Sequence, residues 1–587
     1  MQSTKKQKAK NSKNHKHKYL KAYKNLIVIW LIDKTLLNKI EKMIKIKFVS
    51  LLLIIAFFSC NVQEKKKNII SKARLKKYVD LFNKNDNELY KQFISNDEAF
   101  EFLNKNIPII DLPNKEIEET YYFRWWTYRK HIKKTDDGFV ITEFLPKVFW
   151  SGKHNTINCP AAHHIYEGRW LKEPKYVSEY INFWLKDSGD GIRQYSFWIA
   201  DATLAFNNIH RNDSILSNQL EPLIKNYYQW EKIRRDEGKS LYFQWDVADG
   251  MEVTASGRIL NNGVSKFQVE AVRPTINSYM YGDAKAISKI SNITNDIDKA
   301  LEFENKANTI KQKLQRRLWN KELNFFTVLP KDYDKNTKPL NVRELIGYVP
   351  WYFNLPDDKP EYALAWNKIK DSTGFSAPIG LTVTEQSHPF FEVSYEGVEC
   401  QWNGPSWPFA TTQTLKSMAN FLNNYSNNKT ISKQDYYDLL LQYSKQHQLK
   451  KDTGEIVNWI DENLNPFTGD WISRTRLKNW EGKGWSKDKG GVERGKDYNH
   501  SGFCDLVLSD LLGIKPSINN SIEIRPLIPQ NWEWFAAENI PFQGKEISLI
   551  WDKTGEKYGL GKGLMLFVDQ VLVEQKDKIQ KIVINKI

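Results

Sequence analysis

The chain has 587 residues, which is too long for one ordinary domain, and a mean hydropathy of −0.59 excludes a protein with several membrane spans. The net charge of +16 would suit a nucleic-acid-binding protein, but residues 1–60 contain 14 Lys and two acidic residues. Subtracting that +12 from +16 leaves +4 for the remaining 527 residues, so the nucleic-acid interpretation loses its main support.

Residues 43–60 have the pattern of an export signal. Lys45 and Lys47 precede an apolar run at residues 48–58, and Ser59 and Cys60 follow it. The run is too short to span a bilayer comfortably as a permanent helix. The order of features resembles a bacterial lipoprotein signal, which predicts lipidation of Cys60, export, and anchoring to a membrane with the body in the periplasm or at the cell surface. An uncleaved anchor or a buried cysteine is the alternative.

Translation starts at Met1 or at Met43. Three further regions are predicted from the residue pattern after the signal. Residues 61–71 form a polar tether. From 72 to 515 apolar residues recur with helical spacing, which predicts helices at 176–186, 198–210, 215–232, 296–318, 410–424 and 435–447. From 516 to 587 the period becomes two, which predicts a small antiparallel β domain with strands at 522–528, 544–553, 563–569 and 581–587. We expect this β domain to pack on the helices through Trp532, Trp534 and Phe535.

Loops rich in aromatic, acidic and amide residues separate the predicted helices. The loop at residues 243–257 holds three carboxylates, Asp246, Asp249 and Glu252, beside Trp245 and Gly250. Hydrolysis of a glycosidic bond with inversion requires one carboxylic acid to protonate the leaving oxygen and one carboxylate to activate water. The glycine allows a turn that aims one of the three into a cleft, with Trp245 as a substrate contact.

A second loop of the same kind, residues 459–471, contains Glu462. Only a tertiary fold can bring it to the first loop, and in a closed ring of helical hairpins such loops lie on one face. The two loops therefore predict a pair of catalytic carboxylates, Glu462 with Glu252, Asp249 or Asp246.

Three motifs in this order resemble those of the six-hairpin (α/α)6 glycosidases, particularly the processing α-glucosidases and the bacterial mannosylglycerate hydrolase-like enzymes. DGMEVTASG resembles the acid loop and ENLNPFTG the base motif, so the resemblance implies Glu252 as general acid and Glu462 as general base. The family acid is usually Asp, and Leu464 replaces a usual Tyr. The motif QWNGPSWP and the segment at 497–513 imply the sugar contacts Gln401, Trp402, Gly404, Pro405, Trp407, Tyr498 and His500. The implied fold is mainly α, an (α/α)6 toroid with the small β domain at its end.

The sequence does not assign a role to two clusters of residues. Arg124 and Trp126 could bind an anionic sugar, or they could form cation–π packing on a helix surface. His163 and His164 have no carboxylate at metal-binding spacing, so we expect no metal site and no cofactor. The cysteines at 159, 400 and 504 suggest neither a disulfide framework nor a zinc cluster.

The predicted function is an exo-acting inverting glycoside hydrolase on an α-linked oligosaccharide or polysaccharide. One alternative is a polysaccharide lyase on a similar toroid, using Tyr498, His500 and Arg124. Another is a lipid-anchored glycan-binding protein without catalysis.

Overall fold

The computed structural model describes Lys24, Lys42, Met43 and residues 68–586 except 187–190, 236–237, 397–399, 480–490 and 492. The predicted export signal and Cys60 lie outside the described residues. The chain divides into two units, Met1–Asn68 and Ile69–Ile587, and the elements of the second unit form the fold. None of the described helices is long and apolar enough to cross a membrane.

The helices of this unit lie within residues 72–511. They are α1 (Lys72–Lys84), α2 (Ala99–Asn106), α3 (Lys115–His131), α4 (Ala161–Gly168), α5 (Lys175–Leu185), α6 (Ile199–Asn207), α7 (Asp213–Arg234), α8 (Ala255–Leu260), α9 (Pro274–Ile293), α10 (Ile297–Leu318), α11 (Val349–Tyr352), α12 (Pro360–Ala363), α13 (Pro408–Asn424), α14 (Lys433–Lys445) and α15 (Ile472–Asn479). Short 3₁₀ turns span Lys153–Asn155, Val247–Asp249, Leu345–Tyr348 and Leu364–Ile369, and a π-helical turn spans Leu506–Leu511. All six predicted helices are confirmed to within three residues at either end.

Inner and outer helices alternate along the chain. Residues 274–284 of α9 are all buried, whereas α10, its hairpin partner, buries one stripe that includes Phe303, Ala307 and Leu314. A stripe spaced by three and four residues is the face of an outer helix that covers one neighbour. The same contrast separates α13, buried throughout residues 408–421, from α14. This alternation is the architecture of an α/α toroid.

The strands are β1 (Ile109–Asp111), β2 (Ile132–Thr135), β3 (Gly138–Ile141), β4 (Phe243–Trp245), β5 (Val253–Thr254), β6 (Glu270–Val272), β7 (Trp319–Asn320), β8 (Phe325–Phe326), β9 (Leu329–Pro330), β10 (Gln401–Trp402), β11 (Gln448–Lys450), β12 (Ile456–Asn458), β13 (Ile514–Ser517), β14 (Ser521–Ile524), β15 (Trp534–Phe542), β16 (Lys545–Asp552), β17 (Gly563–Val568), β18 (Val571–Lys576) and β19 (Ile582–Asn585). The strands of the helical region have two to four residues, and the longest strands, of six to nine residues, are β15 to β18. The four predicted strands correspond to β14, β16, β17 and β19, while β13, β15 and β18 were not predicted.

The C-terminal sheets are antiparallel and tied to the helices. One has the order β1-β15-β16-β17-β18 and the other β13-β14-β19. Strand β1 comes from the helical region and pairs Ile110 with Ala537. The Trp532 ring meets Tyr437 of α14 edge-on at 5.8 Å, which confirms the expected junction for that tryptophan. The β region therefore braces one side of the toroid.

Candidate active site

Six separate segments of the chain enclose a cavity of about 190 Å³. This is smaller than the roughly 300–1,000 Å³ typical of sites for drug-sized ligands, and it suits a single sugar ring. Both predicted carboxylates line it, as do four of the predicted sugar contacts. The lining residues are Glu143, Phe144, Trp150, Ile157, Cys159, Tyr195, Gly250, Glu252, Phe267, Cys400, Trp402, Trp407, Phe409, Glu462, Arg494, Tyr498 and His500.

A small parallel strand pair fixes the position of Glu252. Strand β5 follows Glu252 directly and pairs with β10, with Thr254 opposite Trp402. The indole Nε1 of Trp402 donates to Oε2 of Glu252 at 3.0 Å. Gly250, with φ of 76°, makes the turn that precedes Glu252, and a side chain there would strike Cys159. Glu252 is thus held by backbone pairing and by an indole.

The carboxyl of Glu252 has an elevated pKa. Removal from bulk water is the main cause, and the charge of Glu462 adds to it, raising the pKa of Glu252 to about 8. Loss of solvation disfavours the ionised form of a carboxyl group. Glu252 is therefore protonated at neutral pH.

Glu462 has the opposite environment. Its Oε1 accepts hydrogen bonds from Arg494 at 2.8 Å (Nε) and 2.6 Å (Nη2), and its Oε2 lies 3.3 Å from the Ser473 hydroxyl. Both side chains of the ion pair are almost fully buried. The guanidinium of Arg494 also lies 5.2 Å from the ring of Trp150. Arg494 and Glu462 therefore form a buried ion pair with two charge-assisted hydrogen bonds.

Glu143 is a third carboxyl group in the cavity, and the sequence analysis did not identify it. It follows β3 closely, and Tyr498 OH donates to its Oε1 at 2.7 Å. Burial is the main cause that raises the pKa of Glu143 to about 8, and the charges of Glu462 and Glu252 contribute. An acidic residue just before an aromatic loop was the available signal, but the bond that places it comes from Tyr498, far along the chain.

Aromatic rings and a neutral histidine complete the wall. Trp402 and Trp407 are stacked with ring centroids 4.1 Å apart and planes within 13°. His500 packs on Tyr498 at 4.0 Å. Neither ring nitrogen of His500 has a hydrogen-bond partner among the described residues, and burial keeps its pKa well below the usual value. A buried polar group facing a cavity without a partner is suited to a polar ligand.

The other acids of the 243–257 loop have structural roles. Asp246 accepts from the backbone N–H groups of Val247 and Val269 through Oδ1 at 3.0 and 2.9 Å, and burial raises its pKa to about 6. Asp249 forms a fully buried ion pair with Arg273 at 2.8 Å. Neither lines the cavity. Of the three candidates for the acid, the structure brings Glu252 to the site.

Several predicted sugar contacts lie outside the cavity. The guanidinium of Arg234 lies over the ring of Trp245, 4.4 Å from its centroid. Gln401 supports the site from behind, since its carbonyl accepts from Trp407 Nε1 at 2.7 Å. Gly404, next to Pro405, allows the chain to pass close to the Glu392 carbonyl, where a side chain would collide.

Arg124 and Trp126, for which sugar binding was one of two alternatives, also lie away from the cavity and do not line it. They belong to α3, in which residues 120–131 are all buried. Arg124 donates to the Ser501 carbonyl at 2.7 Å, and the indole of Trp126 donates to Asn83 at 2.8 Å. An inner helix packs on all sides, so its charged and aromatic side chains hold other elements in place instead of facing a ligand.

Fold and cavity together are those of the six-hairpin (α/α)6 class of glycoside hydrolase domains. Residues 153–501 match the family model of the mannosylglycerate hydrolase MGH1-like glycoside hydrolase domain, and the chain belongs to this family. Residues 517–573 match the C-terminal domain of glycosyl hydrolase family 65.

Among solved structures, one named "Sialidase" is 38% identical, with a TM-score of 0.78, over 88% of this chain and 44% of that chain. The GH63 mannosylglycerate hydrolase from Thermus thermophilus in complex with glucose is 13% identical, with a TM-score of 0.41, over 62% of this chain and 95% of that chain. An uncharacterized protein of Borreliella burgdorferi is 22% identical over 182 residues, 31% of this chain and 35% of that protein. The chain thus spans less than half the length of the first and third of these.

Proposed function

We propose that this chain is an exo-acting, inverting glycoside hydrolase that releases one terminal α-linked sugar, with Glu252 as general acid and Glu462 as general base. The observation that carries the proposal is the pairing, in one small cavity, of a carboxyl group protonated at neutral pH with a carboxylate held by Arg494. Hydrolysis with either stereochemical outcome requires this division of roles, and inversion rests on the motif resemblance. The α-linkage rests on the motif resemblance.

Each group has the contacts that its role requires. The Trp402 indole occupies Oε2 of Glu252, so the proton of the acid is on Oε1 and can pass to the glycosidic oxygen. Arg494 binds Oε1 of Glu462, and its Oε2, near the Ser473 hydroxyl, accepts the proton of the attacking water. General acid and base catalysis of this kind contributes about 10²–10⁴-fold each.

The cavity favours an uncharged terminal sugar. Three carboxyl groups line it, and Arg494, the cation among the described lining residues, is bound to Glu462. An anionic sugar would therefore meet no available positive charge there. Neutral donors and acceptors, including the ring nitrogens of His500 and the protonated Glu143, are instead matched to sugar hydroxyls.

The same contacts weigh against a lyase. Proton abstraction beside a uronic carboxylate needs a cation or similar group to neutralise that carboxylate, and Arg124 is bound in the core. Tyr498 already donates its hydroxyl proton to Glu143. A hydrolase mechanism, in contrast, uses Glu252 and Glu462 with the contacts that they already make in the cavity.

The experiment is a digest of α- and β-linked oligosaccharides, neutral and uronic-acid-containing, read by mass spectrometry and ultraviolet absorbance. Glu252→Gln and Glu462→Gln are compared with Glu455→Gln, an exposed residue of the β11–β12 turn paired with Lys451. We expect hydrolysis that both cavity variants lose and the control keeps. An ultraviolet-absorbing product would indicate a lyase, and no turnover of any glycan would favour a binding protein.

A further inference from the structure

A second concavity, a groove of about 1,010 Å³, lies beside the catalytic cavity. It is formed by residues 91–93, the β2–β3 hairpin and the loop at residues 142–155. Its described lining residues include five lysines and no carboxylate. These are Lys91, Lys133, Lys134, Lys147 and Lys153.

The positive charge of this groove is concentrated relative to the rest of the protein. Residues 61–587 carry a net charge of only +4, so five lysines in one concavity are a marked local excess. Asp137 offsets one of them through its ion pair with Lys153 at 2.5 Å. Burial, together with the neighbouring charges of Lys130 and Arg129, lowers the pKa of Lys133 to about 8. The groove is therefore an electropositive surface that an anionic ligand would stabilise.

The groove and the cavity share a wall. Phe149 lines the groove, is 68% exposed, and contacts the ring of Trp150 edge-on at 5.0 Å. Trp150 lines the cavity. Val148 lines the groove and packs in one cluster with Phe144 and Tyr498 of the cavity. The loop at residues 142–155 therefore lines the groove on one side and the cavity on the other.

We infer that this groove binds the anionic part of a polysaccharide whose terminal, uncharged sugar enters the cavity. Lysines bind carboxylate or sulfate groups as point charges, and the exposed face of Phe149 packs against the apolar face of a sugar ring. The inference rests on the proposed function, because that function places the terminal sugar of the polysaccharide in the cavity and so leaves the rest of it for the groove. A glycan fits better than a lipid surface because the groove is concave and adjoins the cavity that would hold the end of the same molecule.

The test is affinity electrophoresis of the whole protein in gels that contain polygalacturonate, chondroitin sulfate or dextran. The groove variant is Lys134→Glu/Lys147→Glu, both residues exposed. The control is Lys562→Glu/Lys578→Glu, which changes the net charge equally on the C-terminal β region.

We expect retardation by an acidic polysaccharide, weakened about tenfold or more in the groove variant, less than about twofold in the control, and reduced by salt. Equal retardation by dextran, or equal loss in both variants, would overturn the inference. So would binding to phosphatidylglycerol vesicles in place of any acidic glycan. Glu462→Gln should still bind, so a failure of the hydrolase assignment is recognised separately, by absent turnover with intact binding.

Discussion

Removal of Arg494 tests whether Glu462 is held as a buried carboxylate. In Arg494→Met the Glu462 carboxylate, whose side chain is 4% exposed, loses its cation and keeps the contact of its Oε2 with the Ser473 hydroxyl at 3.3 Å. Breaking a buried ion pair from one side costs about 3–5 kcal/mol, because an uncompensated charge is left in the interior. Arg474→Met is the matched control, since its pair with Glu493 is about one quarter exposed and such pairs contribute about 0–1 kcal/mol.

Urea denaturation followed by tryptophan fluorescence measures the free energies of unfolding. At pH 7 we expect Arg494→Met to lose several times more stability than Arg474→Met. The double variant Arg494→Met/Glu462→Gln should recover most of the loss, because the amide leaves no charge without a partner. Equal losses for the two arginines, or no recovery in the double variant, would refute the description of Glu462 as a buried, paired carboxylate.

Three further outcomes are expected from the raised pKa values. First, Glu143→Gln should keep kcat within about tenfold, because an amide replaces a protonated carboxyl group, while Glu252→Gln should lose about 10²-fold or more, as steady-state kinetics at pH 6 would measure. Second, kcat/KM should fall as the pH rises past about 8, where Glu252 loses its proton; a flat profile to pH 10 would contradict its role. Third, a carboxyl group whose pKa rises from 4.5 to about 8 on folding destabilises the protein progressively across that interval. Between pH 5 and pH 8 the free energy of unfolding should therefore fall by up to about 3.5 kcal/mol more in the wild type than in Glu252→Gln, as urea denaturation at the two pH values would measure. This figure uses roughly 1.36 kcal/mol for each tenfold change in the ionisation constant.

The outer helices could be predicted from the sequence because each buries one stripe. Spacing of three and four residues in α10 and α14 reports that stripe directly. The inner helix α3 does not show this pattern, because the charged residues Arg124, Arg129 and Lys130 are buried. Lys130, for example, pairs with Asp86 at 2.9 Å and Asp497 at 2.6 Å, partners that only the tertiary structure supplies.

The residues of the candidate site also fall into those that the sequence could predict and those that it could not. Glu252 and Glu462 stand in loops whose aromatic, glycine and amide content is local information, and both reach the cavity. Asp249 stands in the same loop as Glu252, yet its ion pair with Arg273 holds it away from the cavity. Glu143 could not be selected, since its bond to Tyr498 joins residues 355 positions apart. Composition indicates which loops meet a ligand, and long-range partners decide which of their side chains do.

The most direct test of the central claim is the configuration of the first sugar released, followed by proton NMR during hydrolysis of the substrate found in the digest. With Glu462 as a base that activates water, the first anomer detected has the configuration opposite to that of the bond cleaved. A first product of the same configuration would mean that a carboxylate attacks the sugar directly, and it would contradict the assignment of Glu252 and Glu462 as an acid and base pair.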